Sequence, residues 1–148
     1  MIRVLIADDH PMVRKGLSQM VAETEDLESA GEAENYASVS RTLRQKPVDV
    51  LLLDVEMPGK NGLEILKVIK RSHPKLQVLM FSMYPEEQYA VRALKAGAAG
   101  YLTKNTPPPK VLEAIRNAAR GRKYISPELA QTLALRISDD VADGRLAH

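Results

Sequence analysis

The sequence lacks cysteine, long apolar runs and a strong net charge, and each absence removes a class of function. Without cysteine, the 148-residue chain has neither disulfide bonds nor thiolate metal sites, which suits a reducing compartment. No apolar run approaches the roughly 20 residues that cross a bilayer, and the N-terminus shows no signal-peptide cleavage site. The net charge of +2 makes no electrostatic case for nucleic-acid binding. We therefore expect a soluble, cytoplasmic protein without a membrane partner.

Strand-like and helix-like patterns alternate five times along the chain. The predicted strands cover residues 2–7, 27–33, 48–54, 76–82 and 99–102, and an amphipathic helix pattern follows each of them. This alternation predicts an α/β fold with right-handed crossovers and helices on both faces of a parallel sheet. We expect a flavodoxin-like, doubly wound sheet of five parallel strands in the order 2-1-3-4-5, with five helices.

The last 27 or so residues differ in character from the rest of the chain. The alternating pattern stops near Gly121, so we interpret residues 1–121 as one domain. A separate helical pattern follows, with Leu129 and Leu133 on its apolar side. We interpret residues 122–148 as a linker that contains a helical segment.

Asp54 is the first candidate for chemistry. It ends an apolar run that is typical of a strand buried on both faces, and Pro58-Gly59 then predicts a turn. Open α/β sheets place their ligand sites beyond the carboxyl ends of such strands. A simpler interpretation is also open, because an aspartate before a turn often serves only to form that turn.

Further polar residues follow the other predicted strands at the same edge of the sheet. Asp8 and Asp9 follow the first strand, Ser82 ends the fourth and Lys104 follows the fifth. Neighbouring carboxylates repel one another unless a cation neutralises them, and Mg²⁺ favours such oxygen ligands. Asp54 is then a possible nucleophile toward a phosphoryl group. The ion and the Lys104 ammonium would offset charge on the transferred oxygens, and the Ser82 hydroxyl could donate a hydrogen bond to one of them.

Taken alone, several of these residues have simpler explanations. A serine at a strand end is commonly a polar boundary, and a single lysine is commonly a solvated surface charge. Tyr101, among small residues, fits a core position better than a switch. His10 follows the acidic pair and could be a ligand, but with only three histidines in the chain a histidine-based metal site is disfavoured.

The motifs together resemble the receiver domain of bacterial two-component response regulators. The motifs that carry this resemblance, in chain order, are Asp8-Asp9, Asp54 within D-V-E-M-P-G, Ser82, Tyr101 and Lys104. The resemblance covers residues 1 to 121. It implies that a sensor histidine kinase transfers a phosphoryl group to Asp54, so that the domain is a regulatory phosphoacceptor rather than an enzyme with a separate substrate.

The resemblance also implies roles for the other residues. Mg²⁺ would be held by Asp9, Asp54 and the backbone carbonyl of Glu56, with Asp8 behind them. In the family, the hydroxyl at the position of Ser82 moves toward the phosphate and the aromatic ring at that of Tyr101 turns inward. These movements change the surface formed by helix 4, strand 5 and helix 5, and the added charge at the phosphorylated aspartate biases the two-state packing.

Finer motifs are similar to the NarL/FixJ subfamily, whose output is a LuxR-type helix-turn-helix. They are F-S-M-Y after the fourth strand, G-A-A-G-Y-L-T-K before the last domain helix and G-R-K-Y-I-S-P-E-L-A after it. The sequence stops at His148, before such a domain, so we expect either a truncated regulator or a stand-alone receiver. The resemblance implies a homodimer favoured by phosphorylation, with DNA binding left to the missing C-terminal domain.

Two other functional classes compete with the receiver. Asp8-Asp9-His10-Pro11 superficially resembles the D-H-H signature of a metal-dependent phosphoesterase family, but the chain lacks the further histidines that this chemistry needs. A pseudo-receiver that serves only as an interaction module would have lost an acidic, acceptor or lysine position. All of those positions are present in this sequence.

Overall fold

The computed structural model describes residues 1–59 and 61–142. Lys60 and the end of the predicted linker, residues 143–148, lie outside this part. The elements in chain order are β1 (Ile2–Ala7), α1 (Pro11–Ala22), β2 (Leu27–Ala33), α2 (Tyr36–Gln45), β3 (Val50–Asp54), α3 (Gly62–Ser72), β4 (Gln77–Ser82), α4 (Glu86–Lys95), β5 (Gly100–Thr103), α5 (Pro108–Ala119) and α6 (Pro127–Ala142).

The five strands form one parallel sheet in the order β2-β1-β3-β4-β5. The predicted fold class, strand order and five domain helices are thereby confirmed, and α6 is a sixth helix within the predicted linker. Individual bounds differ by one or two residues from those expected, as is usual at element ends. No helix in the described part of the chain is long and apolar enough to cross a membrane.

Both faces of the sheet are buried, as the unbroken apolar run of β3 requires. Leu51 and Leu53 point into one core, which they share with α2, α3 and α4. Val50 and Leu52 point into the other, which they share with α1 and α5. This alternation follows from the two-residue period of a strand. Because both faces are covered by helices, a polar site can form only at the ends of the strands.

The linker helix packs against the domain. Leu129 is only 3% exposed and belongs to the same core as the α4 side, and Leu133 lies against that core. Before the helix, the Tyr124 N–H donates to the Ala99 carbonyl at 2.7 Å, and Gly100 pairs with Tyr124 as an isolated parallel bridge. The segment therefore covers the free edge of β5 before α6 crosses onto α4.

The connection from β3 to α3 depends on a close backbone approach at Gly62. Its N–H donates to the Val55 carbonyl at 3.0 Å. A Cβ at Gly62 would lie 2.6 Å from the Val55 Cα and 2.7 Å from its oxygen. The start of α3 is thus packed directly on the backbone that follows Asp54, which fixes the turn around that carboxylate.

We predict that Gly62→Ala lowers the free energy of unfolding by about 1–3 kcal/mol, because the new methyl group overpacks against backbone that has no free space. Urea denaturation followed by circular dichroism measures this change. Gly16→Ala in α1 is the matched control, since a Cβ there meets nothing within 4 Å. That control should be stabilising by about 0.5–1 kcal/mol, and equal stability of both variants would contradict the prediction.

Candidate functional site

Asp54 is the last residue of β3 and its side chain is fully buried. Its Oδ1 accepts the Glu56 N–H at 3.0 Å, which is the turn-forming bond that the simpler interpretation expected. Its Oδ2 accepts no hydrogen bond of good geometry from the described residues. One oxygen thus shapes the turn while the other remains available, so the two interpretations of Asp54 are compatible.

Asp8 and Asp9 follow β1, the strand that pairs directly with β3. Asp8 is 1% exposed, and its Oδ1 accepts the His10 N–H at 2.8 Å. Asp9 is partly exposed, yet its Oδ1 is buried and accepts no hydrogen bond of good geometry within the described chain. The parallel register, with Ala7 opposite Leu53, brings the residues that follow these two strands together.

Lys104 reaches the same point from β5. Its backbone N–H donates to the Ser82 carbonyl at 2.8 Å, which extends the β4–β5 pairing by one residue. Its Nζ lies 2.8 Å from Asp8 Oδ2 and 3.3 Å from Asp54 Oδ2, and the side chain is 8% exposed. The lysine is therefore a buried counter-ion shared by two buried carboxylates, and the sequence-based alternative of a solvated surface charge was wrong.

Burial and the neighbouring charges shift the pKa values of the ionisable residues at this edge of the sheet. Burial raises the pKa of Asp54 to about 6, with the Asp8 charge adding to the rise and the Glu56 N–H and Lys104 opposing it. Burial alone would also raise the pKa of Asp8, but Lys104 and the bonds from His10 hold that pKa below its ordinary value. Burial works against the charged form of Lys104, and the two carboxylates nevertheless raise its pKa. Asp54 is consequently the carboxylate that a further cation would stabilise most.

The donor set fits a hard divalent cation. Single ligand atoms from Asp8, Asp9, His10 and Asp54 all lie within 4.8 Å of one another. Three of these residues, Asp8, Asp9 and Asp54, each present a buried carboxylate oxygen without a hydrogen-bond partner of good geometry in the described chain. Carboxylate oxygens are the ligands that Mg²⁺ prefers. Glu56 is exposed, and the predicted role of its backbone carbonyl stays a prediction.

Ser82 and Tyr101 both hold the loop between β4 and α4. The buried Ser82 Oγ accepts the Tyr84 N–H at 2.9 Å. The Tyr101 ring is 2% exposed, and its hydroxyl donates to the Tyr84 carbonyl at 2.9 Å. The two predicted switch residues therefore meet at the backbone of one loop residue, Tyr84.

Sequence reasoning named His10 as a possible ligand while disfavouring a histidine-based site, and it missed Tyr84. The His10 Nδ1 lies 2.9 Å from Asp8 Oδ1 and 3.1 Å from Asp9 Oδ1. Tyr84 was given no role, and only its position two residues after a strand-ending serine could have indicated one. Such a serine turn is a local pattern of modest specificity.

Comparison with known proteins places this geometry in a family. The sequence pattern of the response regulator receiver domain matches residues 4–116. The response regulator GacA of Pseudomonas viridiflava is 42% identical over 136 residues, which are 92% of this chain and 64% of that protein. The chain therefore spans slightly less than two thirds of the length of this relative.

Solved structures agree in fold. A LuxR-family two-component response regulator from Aurantimonas sp. SI85-9A1 superposes with a TM-score of 0.83 at 30% identity, over 92% of this chain and 97% of that one. The isolated REC domain of RcsB from Salmonella enterica serovar Typhimurium, in the presence of phosphomimetic BeF₃⁻, gives a TM-score of 0.80 at 26% identity, over 88% and 96% of the two chains. Since the family pattern covers most of the chain and the sheet edge carries the acidic and lysine residues described above, the chain belongs to the response regulator receiver domains of two-component systems.

Proposed function

We propose that this chain is a phosphorylation-dependent switch in which Asp54 accepts a phosphoryl group from the phosphohistidine of a sensor histidine kinase. The observation that carries the proposal is the buried Oδ2 of Asp54, which accepts no well-formed hydrogen bond and faces the Lys104 ammonium. Oδ2 attacks phosphorus, the new bond is Asp54 O–P, and the P–N bond to the kinase imidazole breaks with its electron pair going to nitrogen. The chain acts on its own aspartate, so it is a regulatory acceptor.

The residues around Asp54 suit this transfer. Mg²⁺ would be held by Asp9, Asp54 and the Glu56 carbonyl with Asp8 behind, and when bound it offsets negative charge on the carboxylates and on the transferred oxygens. Lys104, already 3.3 Å from Asp54 Oδ2, is placed to pair with a phosphoryl oxygen. The Ser82 hydroxyl can donate to another oxygen once it turns from its present bond with Tyr84. Ser82 ends β4 and Lys104 directly follows β5, so both side chains lie at the same edge of the sheet as Asp54.

The switch reaches the surface through the loop at Tyr84. A phosphoryl group replaces the single negative charge of the Asp54 carboxylate with about −1.5 to −2 charges beside Ser82 and Lys104. If the Ser82 hydroxyl moves toward it, the Tyr84 N–H loses its partner, and the Tyr101 bond to the Tyr84 carbonyl must readjust. Such a local change in hydrogen bonding biases the packing of the whole β4–α4 loop.

Helix α6 lies next to the β4–α4 loop, in which this change occurs. The β4–α4 loop, the β5–α5 loop and α6 enclose a cavity of about 400 Å³, lined by Met83, Lys104, Leu129 and Thr132 among others. Leu129 shares a core with Tyr101. We therefore add the docked α6 to the predicted output surface of α4, β5 and α5.

Activities of a whole regulator are part of the same proposal. Phosphorylation would favour a homodimer, and transcription control would require a DNA-binding output domain outside the present sequence. The acidic and basic residues of this chain are too evenly balanced to bind DNA by charge alone. We therefore assign the switch to this chain and DNA recognition to such an output domain.

We predict that acetyl phosphate with Mg²⁺ adds one phosphoryl group to the chain, that chelation of Mg²⁺ abolishes the adduct, and that Asp54→Asn abolishes it as well. Intact-mass spectrometry measures all three. Asp49→Asn is the matched control, because Asp49 is a half-exposed carboxylate just before the same strand. An adduct that persists on folded Asp54→Asn would refute Asp54 as the acceptor.

Asp54→Asn should also stabilise the metal-free protein near neutral pH, by on the order of 1–3 kcal/mol. The pKa of Asp54 is raised on folding to about 6, so the unfolded chain binds fewer protons between the ordinary value near 3.8 and that value. Stability of the parent therefore falls as pH rises through this window, whereas the asparagine side chain of the variant has no charge to bury. Thermal denaturation in chelator at several pH values tests this, and a gain that persists unchanged in acid would contradict it.

For α6 we predict that phosphorylation loosens its docking. Hydrogen exchange of the amides in residues 127–138 should accelerate in the parent treated with acetyl phosphate and Mg²⁺, and should not change in Asp54→Asn. Leu129→Ala should accelerate the same amides without phosphorylation, because it removes the buried anchor. Leu135→Ala is the matched control on the same helix, since Leu135 is 63% exposed. Unchanged exchange on phosphorylation would remove α6 from the output surface.

A further inference from the structure

His10 is turned toward the acidic cluster although most of its side chain is open to solvent. Its Nδ1 lies 2.9 Å from Asp8 Oδ1, 3.1 Å from Asp9 Oδ1 and 3.5 Å from the Lys104 Nζ. The side chain as a whole is 60% exposed. The receiver chemistry described above makes no use of this histidine.

The backbone fixes this orientation. His10 is the residue before Pro11, and a residue before proline is held in the extended region. Its φ of −94° and ψ of 109° agree with that restriction, and Pro11 then begins α1. The His10 N–H is bound to Asp8 Oδ1, which ties the histidine backbone to the carboxylate that its ring also contacts. The His10 backbone is thus held beside the acidic pair by Pro11 and Asp8.

The spacing of these atoms suits ligands of one ion. Two neighbouring ligands at about 2.1 Å from an octahedral ion lie about 3.0 Å apart. The Nδ1 of His10 stands at such a distance from the carboxylates, and Asp9 Oδ1 is buried without a hydrogen bond of good geometry in the described chain. Asp54, fully buried, supplies a second such oxygen in the same cluster, and Asp8 supplies a third. The cluster therefore has three buried oxygen donors without well-formed hydrogen bonds, two of them ion-paired with Lys104, and one adjacent imidazole nitrogen.

We propose that His10 contributes Nδ1 as a ligand to the cation held by Asp9 and Asp54, so that this receiver takes Mn²⁺ or Co²⁺ in preference to Mg²⁺. The inference rests on the proposed metal site of the switch. Mg²⁺ favours all-oxygen surroundings, whereas an imidazole nitrogen strengthens binding of the later first-row ions in the order Mn²⁺ then Co²⁺. The role of His10 is to set which metal occupies the site.

A competing role for His10 makes a different prediction. If Nδ1 only donates a hydrogen bond to Asp8 and Asp9, it orients carboxylates for any cation. Removing it would then change the affinity for every divalent ion to a similar extent, and no nitrogen would be coupled to the metal. Metal selectivity and a nitrogen coupling therefore separate the two roles.

Pulsed electron paramagnetic resonance of the Mn²⁺-loaded chain is the direct test. The parent should show coupling of the Mn²⁺ spin to an imidazole nitrogen, and ¹⁵N labelling of histidine should change that signal. His10→Gln should lose it. His73→Gln is the matched control, because His73 ends α3 at the opposite edge of the sheet, and it should retain the coupling. Bound Mn²⁺ without an imidazole coupling in the parent would overturn the inference while leaving the metal site intact.

Calorimetric titration with Co²⁺ and with Mg²⁺ provides the second readout. The ratio of Co²⁺ to Mg²⁺ affinity should fall about tenfold or more in His10→Gln, since even groups behind the ligands commonly matter by about 10–100-fold. It should not change in His73→Gln. Equal losses for both ions would overturn the inference in favour of the orienting role. If the folded parent binds neither ion, both this inference and the proposed metal site fail, and circular dichroism of each variant verifies that it is folded.

Discussion

One buried ammonium between two buried carboxylates is the interaction on which the site depends. Lys104 comes within 2.8 Å of Asp8 and 3.3 Å of Asp54, yet a third carboxylate, Asp9, stands in the same cluster. A single positive charge cannot balance three negative ones in a place where water is largely excluded. Burial raises the pKa of Asp54 to about 6, and the neighbouring Asp8 charge adds to the rise. The sheet keeps these charges together because both its faces are packed, so the strand ends have little freedom to separate.

In the proposed switch, this imbalance is what would make a phosphoryl group an effective signal. In a site with balanced charges, water and mobile side chains would compensate the charge that a phosphoryl group adds. Here Lys104 and Ser82 are already engaged, with Asp54 and with Tyr84 respectively, so a new anion must take partners away from existing bonds. Because Tyr101 is bonded to the same loop residue, the change would also reach β5. The proposed coupling thus consists of exchanged hydrogen bonds between neighbours and needs no long pathway.

The fold and the charged edge could be predicted from sequence because each depends on local patterns. The run of residues 50–53 has no polar face, which specifies a central strand, and parallel strands necessarily bring Asp8, Asp54 and Lys104 to one edge. The positions of His10 and Tyr84 depend instead on a ring orientation and on backbone atoms, and residue types do not encode these. The docking of α6 was likewise beyond reach. Leu129 and Leu133 indicate an apolar side, but nothing in the linker sequence states which surface that side covers.

The energies of these contacts are of a size that allows a switch. A hydrogen bond such as Ser82 to Tyr84 contributes about 0.5–1.5 kcal/mol, and burying one leucine such as Leu129 contributes about 1.5–3 kcal/mol. Moving an equilibrium from 1:99 to 99:1 requires about 5.5 kcal/mol of difference between states. A phosphoryl group in charge-assisted bonds with Lys104 and Ser82, each worth roughly 1.5–3 kcal/mol, approaches that amount. The docking of α6 through Leu129 and the partly buried Leu133 is therefore of a size that the proposed phosphorylation of Asp54 would control.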